Sequence, residues 1–120
     1  MPRKLLKSKL HRARITQTNP DYVGSATIDP VLAEAAGLWE HEHVLVASVT
    51  GGARLETYVM YGERGSGEIC LNGAAAHLFE PGEEIIVMAF AWSDVPVEAR
   101  IVMVNPDNTI LEIVRSESNA

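Results

Sequence analysis

The pattern of apolar and polar positions along the chain favours β-structure. Short stretches rich in Val, Ile, Leu, Thr and Tyr are separated by clusters of turn-forming residues, which is typical of strands joined by turns. Residues 50–53 and 105–108 predict the turns of two hairpins. The pattern as a whole indicates a small barrel or sandwich with a few short helices. The predicted strands are 12–16, 44–49, 55–60, 68–71, 85–90, 101–104 and 109–114.

One helix is marked by signals at both of its ends. Asp29 is a favourable N-cap, Pro30 suits the first helical position, and Gly37 suits the residue after the last turn. These signals predict a helix of at most two turns over residues 31–36. A second short helix is expected at 74–77, where small residues follow a turn.

The length of 120 residues predicts a single domain with its own core. We place this domain at 1–115 and expect a flexible tail at 116–120. The longest apolar run, at 85–92, is far shorter than the roughly 20 residues of a membrane span. Its first part, 85–90, is apolar on both faces and predicts a fully buried strand. The basic N-terminus does not resemble a signal peptide, so we expect a cytoplasmic protein without membrane contact.

Charge is distributed unevenly along a chain whose net charge is −6. Six of the ten Lys and Arg lie within residues 1–14, and all sixteen Asp and Glu lie after them. A basic arm on an acidic body suits nucleic acid, a neighbouring subunit or an anionic ligand. The acidic remainder argues against extended contact with phosphate backbones, so no nucleic-acid partner is expected. A small β-barrel that binds nucleic acid, or assembles with a partner, through this arm is the alternative function.

Three motifs have an ordinary structural interpretation. His41 and His43 share a face of any strand there, but two ligands without a third make a poor zinc site, so no metal is expected. Cys70 stands between apolar neighbours, which favours a small buried side chain over a nucleophile. Residues 62–67 are rich in glycine but lack the lysine and the spacing of a phosphate-binding loop.

The Gly24-Ser25 dipeptide has a chemical possibility beyond a turn. A serine hydroxyl held against the preceding carbonyl carbon can attack it and convert the amide into an ester. Glycine favours that geometry because it has no Cβ. β-Elimination of the ester cuts the chain, and hydrolysis of the resulting dehydroalanine leaves an N-terminal pyruvoyl group.

Several other side chains together suit a small dicarboxylate ligand. Lys9 and His11 are two residues apart and share a face of any strand, and Arg54 precedes the adjacent hydroxyls at 57–58. Residues 72–76 offer an amide and small residues whose backbone N–H groups a ligand can approach. Cations, hydroxyls and free N–H groups are the donors that bind carboxylates.

In their order along the chain, these motifs resemble those of the bacterial pyruvoyl-dependent aspartate 1-decarboxylases, also called aspartate α-decarboxylases. The resemblance is nearly collinear up to about residue 92 and weakens after Arg100. The set is highly specific, although no single motif is. The matching segments are Lys9-Leu10-His11-Arg12, Tyr22-Val23-Gly24-Ser25, Ala35-Ala36-Gly37-Leu38, 52–54, Thr57-Tyr58, 62–67 and 72–77, with weaker support from Pro81-Gly82 and Glu98-Ala99-Arg100.

The resemblance implies a small double-psi β-barrel, a homotetramer, and conversion of L-aspartate into β-alanine and CO2 for pantothenate biosynthesis. It also implies a proenzyme that cuts itself between Gly24 and Ser25 into chains 1–24 and 25–120. Ser25 would become the covalent pyruvoyl cofactor and form a Schiff base with the substrate. The sequence leaves open whether a helper protein assists this maturation.

The resemblance further implies a role for each matched residue. Gly24 and Ser25 would be the reacting pair in processing, and Thr57 would hold the scissile carbonyl. Tyr58 would be the proton donor in catalysis. The implied substrate-binding residues are Lys9, His11, Arg54, Thr57, Asn72, Gly73, Ala74 and Ala75.

Overall fold

The computed structural model describes residues 1–116, and strands predominate among them, which confirms the mainly β class. Both predicted helices are present, the first as an α-helix and the second as a 3₁₀ turn. Ser116 belongs to the last strand, and the remainder of the tail predicted at 116–120 lies outside the described residues. The elements are β1 Arg3–Arg14, β2 Gln17–Asn19, β3 Ser25–Ile28, α1 Pro30–Ala36, β4 His43–Ser48, β5 Arg54–Tyr61, β6 Ile69–Asn72, the 3₁₀ turn Gly73–His77, β7 Glu84–Ser93, β8 Ala99–Val104 and β9 Ile110–Ser116.

Within residues 1–116 the strands form one hydrogen-bonded sheet in the order β2-β6-β3-β5-β4-β7-β1-β8-β9. β3 runs antiparallel to β6 and parallel to β5, whereas β1 runs antiparallel to β7 and parallel to β8. Parallel neighbours cannot be joined by a tight hairpin and require crossover connections. This mixed topology is consistent with a double-psi barrel, which itself stays a prediction. It places the start of β3 beside the end of β6.

The core lies on the inner face of the sheet. Val46, Val87, Leu10 and Val102 follow one another across β4, β7, β1 and β8, and each is at most 1% exposed. Burying a side chain of this size stabilises a fold by about 1.5–3 kcal/mol. Successive residues of a strand point to opposite faces, so the outer face carries the alternate residues of the same strands.

β7 is buried on one face only, so the prediction of a fully buried strand at 85–90 is wrong. Ile85 and Val87 lie in the core, whereas Phe90 is 37% exposed and Trp92 is 70% exposed. The outer face of this strand therefore presents apolar side chains at the surface of a single chain. No helix within the described residues has the length and apolar character that crossing a membrane requires.

The basic stretch at the start of the chain is a strand of the sheet, not an arm. β1 begins at Arg3, well before the strand predicted at 12–16, and pairs with β7 on one side and β8 on the other. A bulge at Arg12, whose φ is 68°, interrupts the alternation that would have revealed it. Arg12 and Arg14 both pair with Glu84, at 2.6 and 2.8 Å. This arrangement gives no support to a nucleic-acid-binding arm.

α1 begins and ends where its signals predict. Asp29 Oδ1 accepts a hydrogen bond from the N–H of Val31, and Gly37 has a φ of 76°. The same carboxylate accepts hydrogen bonds from the N–H groups of Gly65 and Gly67, both at 2.9 Å, and so fastens the glycine-rich loop to the helix. Burial raises the pKa of Asp29, but these three hydrogen bonds and the positive charge of Arg64 together outweigh it and hold the pKa below its ordinary value.

Two short strands near the Gly24–Ser25 bond are absent from the predicted elements. β2 and β3 have three and four residues, which are too few to produce a recognisable period-two pattern. Pairing with distant segments forms them instead, since β2 adds to β6 and β3 lies between β5 and β6. Tertiary context therefore builds the part of the sheet that adjoins the Gly24–Ser25 bond.

Candidate active site

The Gly24–Ser25 peptide bond lies where the chain enters β3, beside the end of β6. Ser25 is 5% exposed and is paired with Asn72 in the antiparallel register of the two strands. Asn72 Nδ2 donates a hydrogen bond to Ser25 Oγ at 2.9 Å. The hydroxyl that the cleavage chemistry requires is therefore buried and held by a specific side chain.

Gly73 allows the 3₁₀ turn to pack directly against the backbone of Gly24. A Cβ atom built on Gly73 would lie 2.7 Å from both the N and the Cα of Gly24, and 3.0 Å from the carbonyl oxygen of Tyr22. Gly73 also has a φ of 68°, in the left-handed region that glycine adopts without steric cost. Both requirements select glycine at this position, and the absence of a Cβ lets the turn lie directly against Gly24.

Two cavities adjoin the Gly24–Ser25 bond, and Tyr58 and Asn72 line both of them. The first has a volume of about 410 Å³ and contains Gly24 in its lining, whereas the second, of about 390 Å³, contains Ser25. These volumes are at the small end of the range for ligand sites, which suits a small molecule. The predicted site residues that line the first cavity are Gly24, Thr57, Tyr58, Asn72, Ala74 and Ala75.

β5 supplies the two adjacent hydroxyls of the site and directs them to opposite faces. Thr57 is paired with Val44, a core residue, whereas Tyr58 is paired with His43, which is exposed. The Tyr58 ring also contacts the ring of His41 edge-on, with centroids 6.4 Å apart. This contact restricts the orientation of the phenol at the edge of the cavity.

The predicted cationic residues do not reach this cavity within one chain. Arg54 precedes Tyr58 by four residues on β5, which is about 13 Å along a strand. Lys9 of β1 lies level with Glu56 of β5, and β7 and β4 lie between them in the sheet. Three strand spacings, about 14 Å, therefore separate the backbones of the two residues. His11 of β1 lies level with Arg54 of β5 across the same two strands. These side chains share the outer face of the sheet with Tyr58.

His11 carries a ring nitrogen without a partner. Its Nδ1 atom is buried and has no hydrogen bond within the part of the chain that the structure describes. Burial, and after it the positive charges of Lys9 and Arg12, lower the pKa of His11, although Glu84 raises it. The imidazole is therefore neutral at pH 7 and has one nitrogen able to accept a hydrogen bond.

Glu56 and Leu78 also line the first cavity, although no motif marks them. The Glu56 carboxylate is 2.8 Å from His43 Nε2. When the imidazole is protonated, its positive charge offsets the negative charge of Glu56. Alternation along β5 was the available signal for Glu56, because residues 54, 56 and 58 share one face of a strand. Leu78 follows the 3₁₀ turn and is 54% exposed, and nothing in the sequence distinguishes it from a surface leucine.

Thr27 and Cys70 are further residues of the site that the sequence did not reveal. Asn72 Nδ2 also donates to Thr27 Oγ1 at 2.9 Å, and the Cys70 thiol donates to Asn72 Oδ1 at 3.2 Å. Cys70 is 2% exposed, which confirms the prediction of a buried side chain. The available signal was the spacing. Thr27 lies two residues after Ser25 on β3, and Cys70 lies two residues before Asn72 on β6, so the members of each pair share a face of their strand.

The histidines that suggested a metal site lie in different local structures. His41 occupies a turn with a φ of 72°, and His43 begins β4 and contacts Glu56. Among residues 1–116, no group of three or more His, Cys, Asp or Glu side chains is arranged to hold a metal ion.

Comparison with known proteins identifies the family. A model of the aspartate decarboxylase family matches residues 1–111. The chain is 52% identical over 120 residues to an aspartate 1-decarboxylase of Clostridium beijerinckii, with 96% of each chain covered. It is 51% identical over 118 residues to one of Corynebacterium efficiens, covering 94% of this chain and 86% of the relative. It is 43% identical over 123 residues to one of Staphylococcus aureus, covering 99% and 97%. The chain belongs to the aspartate decarboxylase family, which confirms the resemblance.

Proposed function

We propose that this chain cuts itself between Gly24 and Ser25 and then converts L-aspartate into β-alanine and CO2, as a cytoplasmic step of pantothenate biosynthesis. The observation that carries the proposal is the buried Ser25 hydroxyl, held by Asn72 at 2.9 Å beside a cavity of about 410 Å³. Family membership adds the substrate, because the relatives are named aspartate 1-decarboxylases.

Cleavage uses atoms of the chain alone. Ser25 Oγ attacks the carbonyl carbon of Gly24, the C–N bond breaks, and the amide becomes an ester. Removal of the Ser25 Cα proton then breaks the Cβ–Oγ bond and leaves Gly24 with a free carboxylate. Hydrolysis of the dehydroalanine releases ammonia and leaves a pyruvoyl group. Thr57 lines the cavity at Gly24 and is assigned to hold the scissile carbonyl.

The surroundings of Ser25 fit a pyruvoyl group made from that residue. The position is buried, it lines a cavity of about 390 Å³, and a cavity at Gly24 adjoins it. When formed, the group supplies an electron-accepting carbonyl, the chemistry that pyridoxal phosphate supplies in other enzymes. Ser25 itself is 5% exposed, which limits contact of water with a group formed there and strengthens its electrostatic contacts with the substrate.

Binding and proton transfer are assigned to the residues around the two cavities. Tyr58 lines both and returns a proton to the carbon that has lost its carboxylate, as a positioned general acid. The backbone N–H groups of residues 73–75 donate hydrogen bonds to the substrate, and Asn72 adds the Nδ2 proton that it donates to Ser25 Oγ before cleavage removes that oxygen from residue 25. Gly73 is placed for this because the absence of its Cβ brings the turn close to the scissile segment.

A homotetramer is part of the proposal, because no Lys or Arg of residues 1–116 lines either cavity. Lys9, His11 and Arg54 lie on the outer face, and we assign them to bind substrate carboxylates where one subunit meets the next. The exposed side chains of Phe90 and Trp92 on the same sheet support an interface there.

An assay for β-alanine tests the activity. The native chain, incubated with L-aspartate and no added pyridoxal phosphate, should form β-alanine, whereas Ser25→Ala should form none. The substitution leaves one buried N–H of Asn72 without its partner and should lower the free energy of unfolding by about 1–3 kcal/mol, so a thermal melt provides the control for folding. Decarboxylation by a folded, uncut Ser25→Ala chain would refute the proposed chemistry.

A further inference from the structure

All the hydrogen-bonding groups of the Asn72 side chain have partners. Its two Nδ2 protons are donated to Ser25 Oγ and Thr27 Oγ1, both at 2.9 Å, and its Oδ1 accepts from the Cys70 thiol at 3.2 Å. Asn72 is 3% exposed, so its amide depends on these three side chains more than on water. The Thr27 hydroxyl holds the amide in place, although a hydroxyl can accept or donate, and the thiol donor at Cys70 favours the orientation with Oδ1 toward Cys70.

Strand register brings these four side chains together. Ser25 is opposite Asn72 and Thr27 is opposite Cys70 in the antiparallel pairing of β3 with β6. Opposite residues, and residues two apart on a strand, point to the same face. The four side chains therefore form a compact block, with Cys70 and Thr27 on the side away from the scissile bond.

The orientation of the amide matters for the elimination step. When the Ser25 Cα proton is removed, the Cβ–Oγ bond breaks and its electron pair passes to Oγ, which becomes a carboxylate oxygen of Gly24. An N–H donor facing Oγ stabilises that developing negative charge. After a half-turn of the amide, Oδ1 would face Oγ instead, and the two oxygens would repel each other.

The thiol is suited to hold the amide because it is neutral. Burial raises the pKa of Cys70, and this exceeds the lowering produced by the side chain of Gln17. The thiol therefore keeps its proton at neutral pH and can donate it to Asn72 Oδ1. A protonated thiol favours the orientation in which Asn72 Oδ1 faces Cys70, and that orientation directs the NH2 group toward Ser25.

We propose that Cys70 and Thr27 are positioning residues, which hold the Asn72 amide with its NH2 group toward Ser25 Oγ during self-cleavage. The proposal rests on the proposed cleavage at Gly24–Ser25. Cys70 lines neither of the two cavities, whereas Thr27 lines the one that contains Ser25. In this proposal both residues act on cleavage through Asn72.

Cys70→Ala and Cys70→Ser form a matched pair that tests the donor. Both remove the sulfur, but only serine keeps a hydrogen that can be donated to Asn72. Mass spectrometry should show that Cys70→Ala cleaves about three- to tenfold more slowly than the native chain, the usual worth of one hydrogen bond. Cys70→Ser should cleave within about twofold of the native rate. Thermal melts of both variants, made in the uncleavable Ser25→Ala chain, control for folding.

Thr27→Val and Thr27→Ser test the acceptor in the same way. Valine has nearly the shape of threonine but cannot accept from Nδ2, so it should slow cleavage by a similar factor, and serine should not. Equal cleavage rates within each pair would overturn the positioning role while leaving the proposed function intact. If the native chain itself stayed uncut over the same incubation, both the proposed function and this inference would be refuted.

Discussion

Gly73→Ala tests the contact that holds the 3₁₀ turn against the scissile segment. The new Cβ would lie 2.7 Å from the N and Cα of Gly24. These are backbone atoms of the residue directly before β3, and backbone cannot move aside as the end of a flexible side chain can. Gly52→Ala is a matched control, because Gly52 has a φ of 78° but no heavy atom within 4 Å of a built Cβ.

Both substitutions carry the cost of alanine in a left-handed backbone conformation, but only Gly73→Ala adds a steric overlap. Alanine in the left-handed region costs about 1–2 kcal/mol at either position. At Gly73 the overlap with Gly24 adds about 1–3 kcal/mol, the range for overpacking. The expected loss in the free energy of unfolding is therefore about 2–5 kcal/mol for Gly73→Ala and about 1–2 kcal/mol for Gly52→Ala.

The rate of self-cleavage should also differ between Gly73→Ala and Gly52→Ala. Displacing Gly24 alters the approach of the Ser25 hydroxyl to the carbonyl carbon, and a misplacement of this kind slows an intramolecular reaction by about tenfold or more. Gly52→Ala should cleave at the native rate. Cleavage is measured by mass spectrometry below the melting temperature, and stability by urea unfolding in the Ser25→Ala chain. Equal cleavage rates in Gly73→Ala and Gly52→Ala would contradict this account of the turn.

Three further predictions concern single side chains. Tyr58→Phe should leave cleavage unchanged but lower β-alanine formation by about 10²–10⁴, the usual effect of losing a positioned acid; undiminished turnover would assign the proton to another group. Thr57→Val should slow cleavage itself, because a methyl group cannot hydrogen-bond the Gly24 carbonyl, and a native rate in mass spectra would remove Thr57 from processing. Asp29→Asn should destabilise the fold at neutral pH. Because the folded pKa of Asp29 is lowered, its contribution is present above its ordinary value of 3.8 and is lost as the pH falls through the lowered value. The difference in free energy of unfolding between the native chain and Asp29→Asn, measured with urea, should be smaller at pH 3 than at pH 7. An equal difference at both pH values would contradict this prediction.

Local signals in the sequence predicted the elements whose residues carry them. The helix between Asp29 and Gly37 has a cap at each end, and the hairpin around residues 50–53 has a glycine turn between two alternating strands. These features depend on neighbours in the sequence, so a pattern suffices. β1 was predicted only in part, because its bulge at Arg12 and its many charged residues obscure the alternation.

The site was predictable in its chemistry but not in its arrangement. Motifs identified Gly24, Ser25, Thr57, Tyr58 and Asn72, which the structure brings to two adjoining cavities. The contacts around them depend on the register between β3 and β6, which no local pattern encodes. Residues such as Thr27 and Cys70 were therefore missed. The separation of the cationic residues from the cavity likewise follows from the strand order and cannot be derived from spacing alone.

Mass spectrometry of the purified native chain tests the central claim most directly. The account predicts two species, residues 1–24 with a free carboxylate and residues 25–120 beginning with a ketone that phenylhydrazine traps. Ser25→Ala should give one intact chain and no adduct under the same conditions. An intact native chain without a trappable ketone, after prolonged incubation of folded protein, would contradict the account.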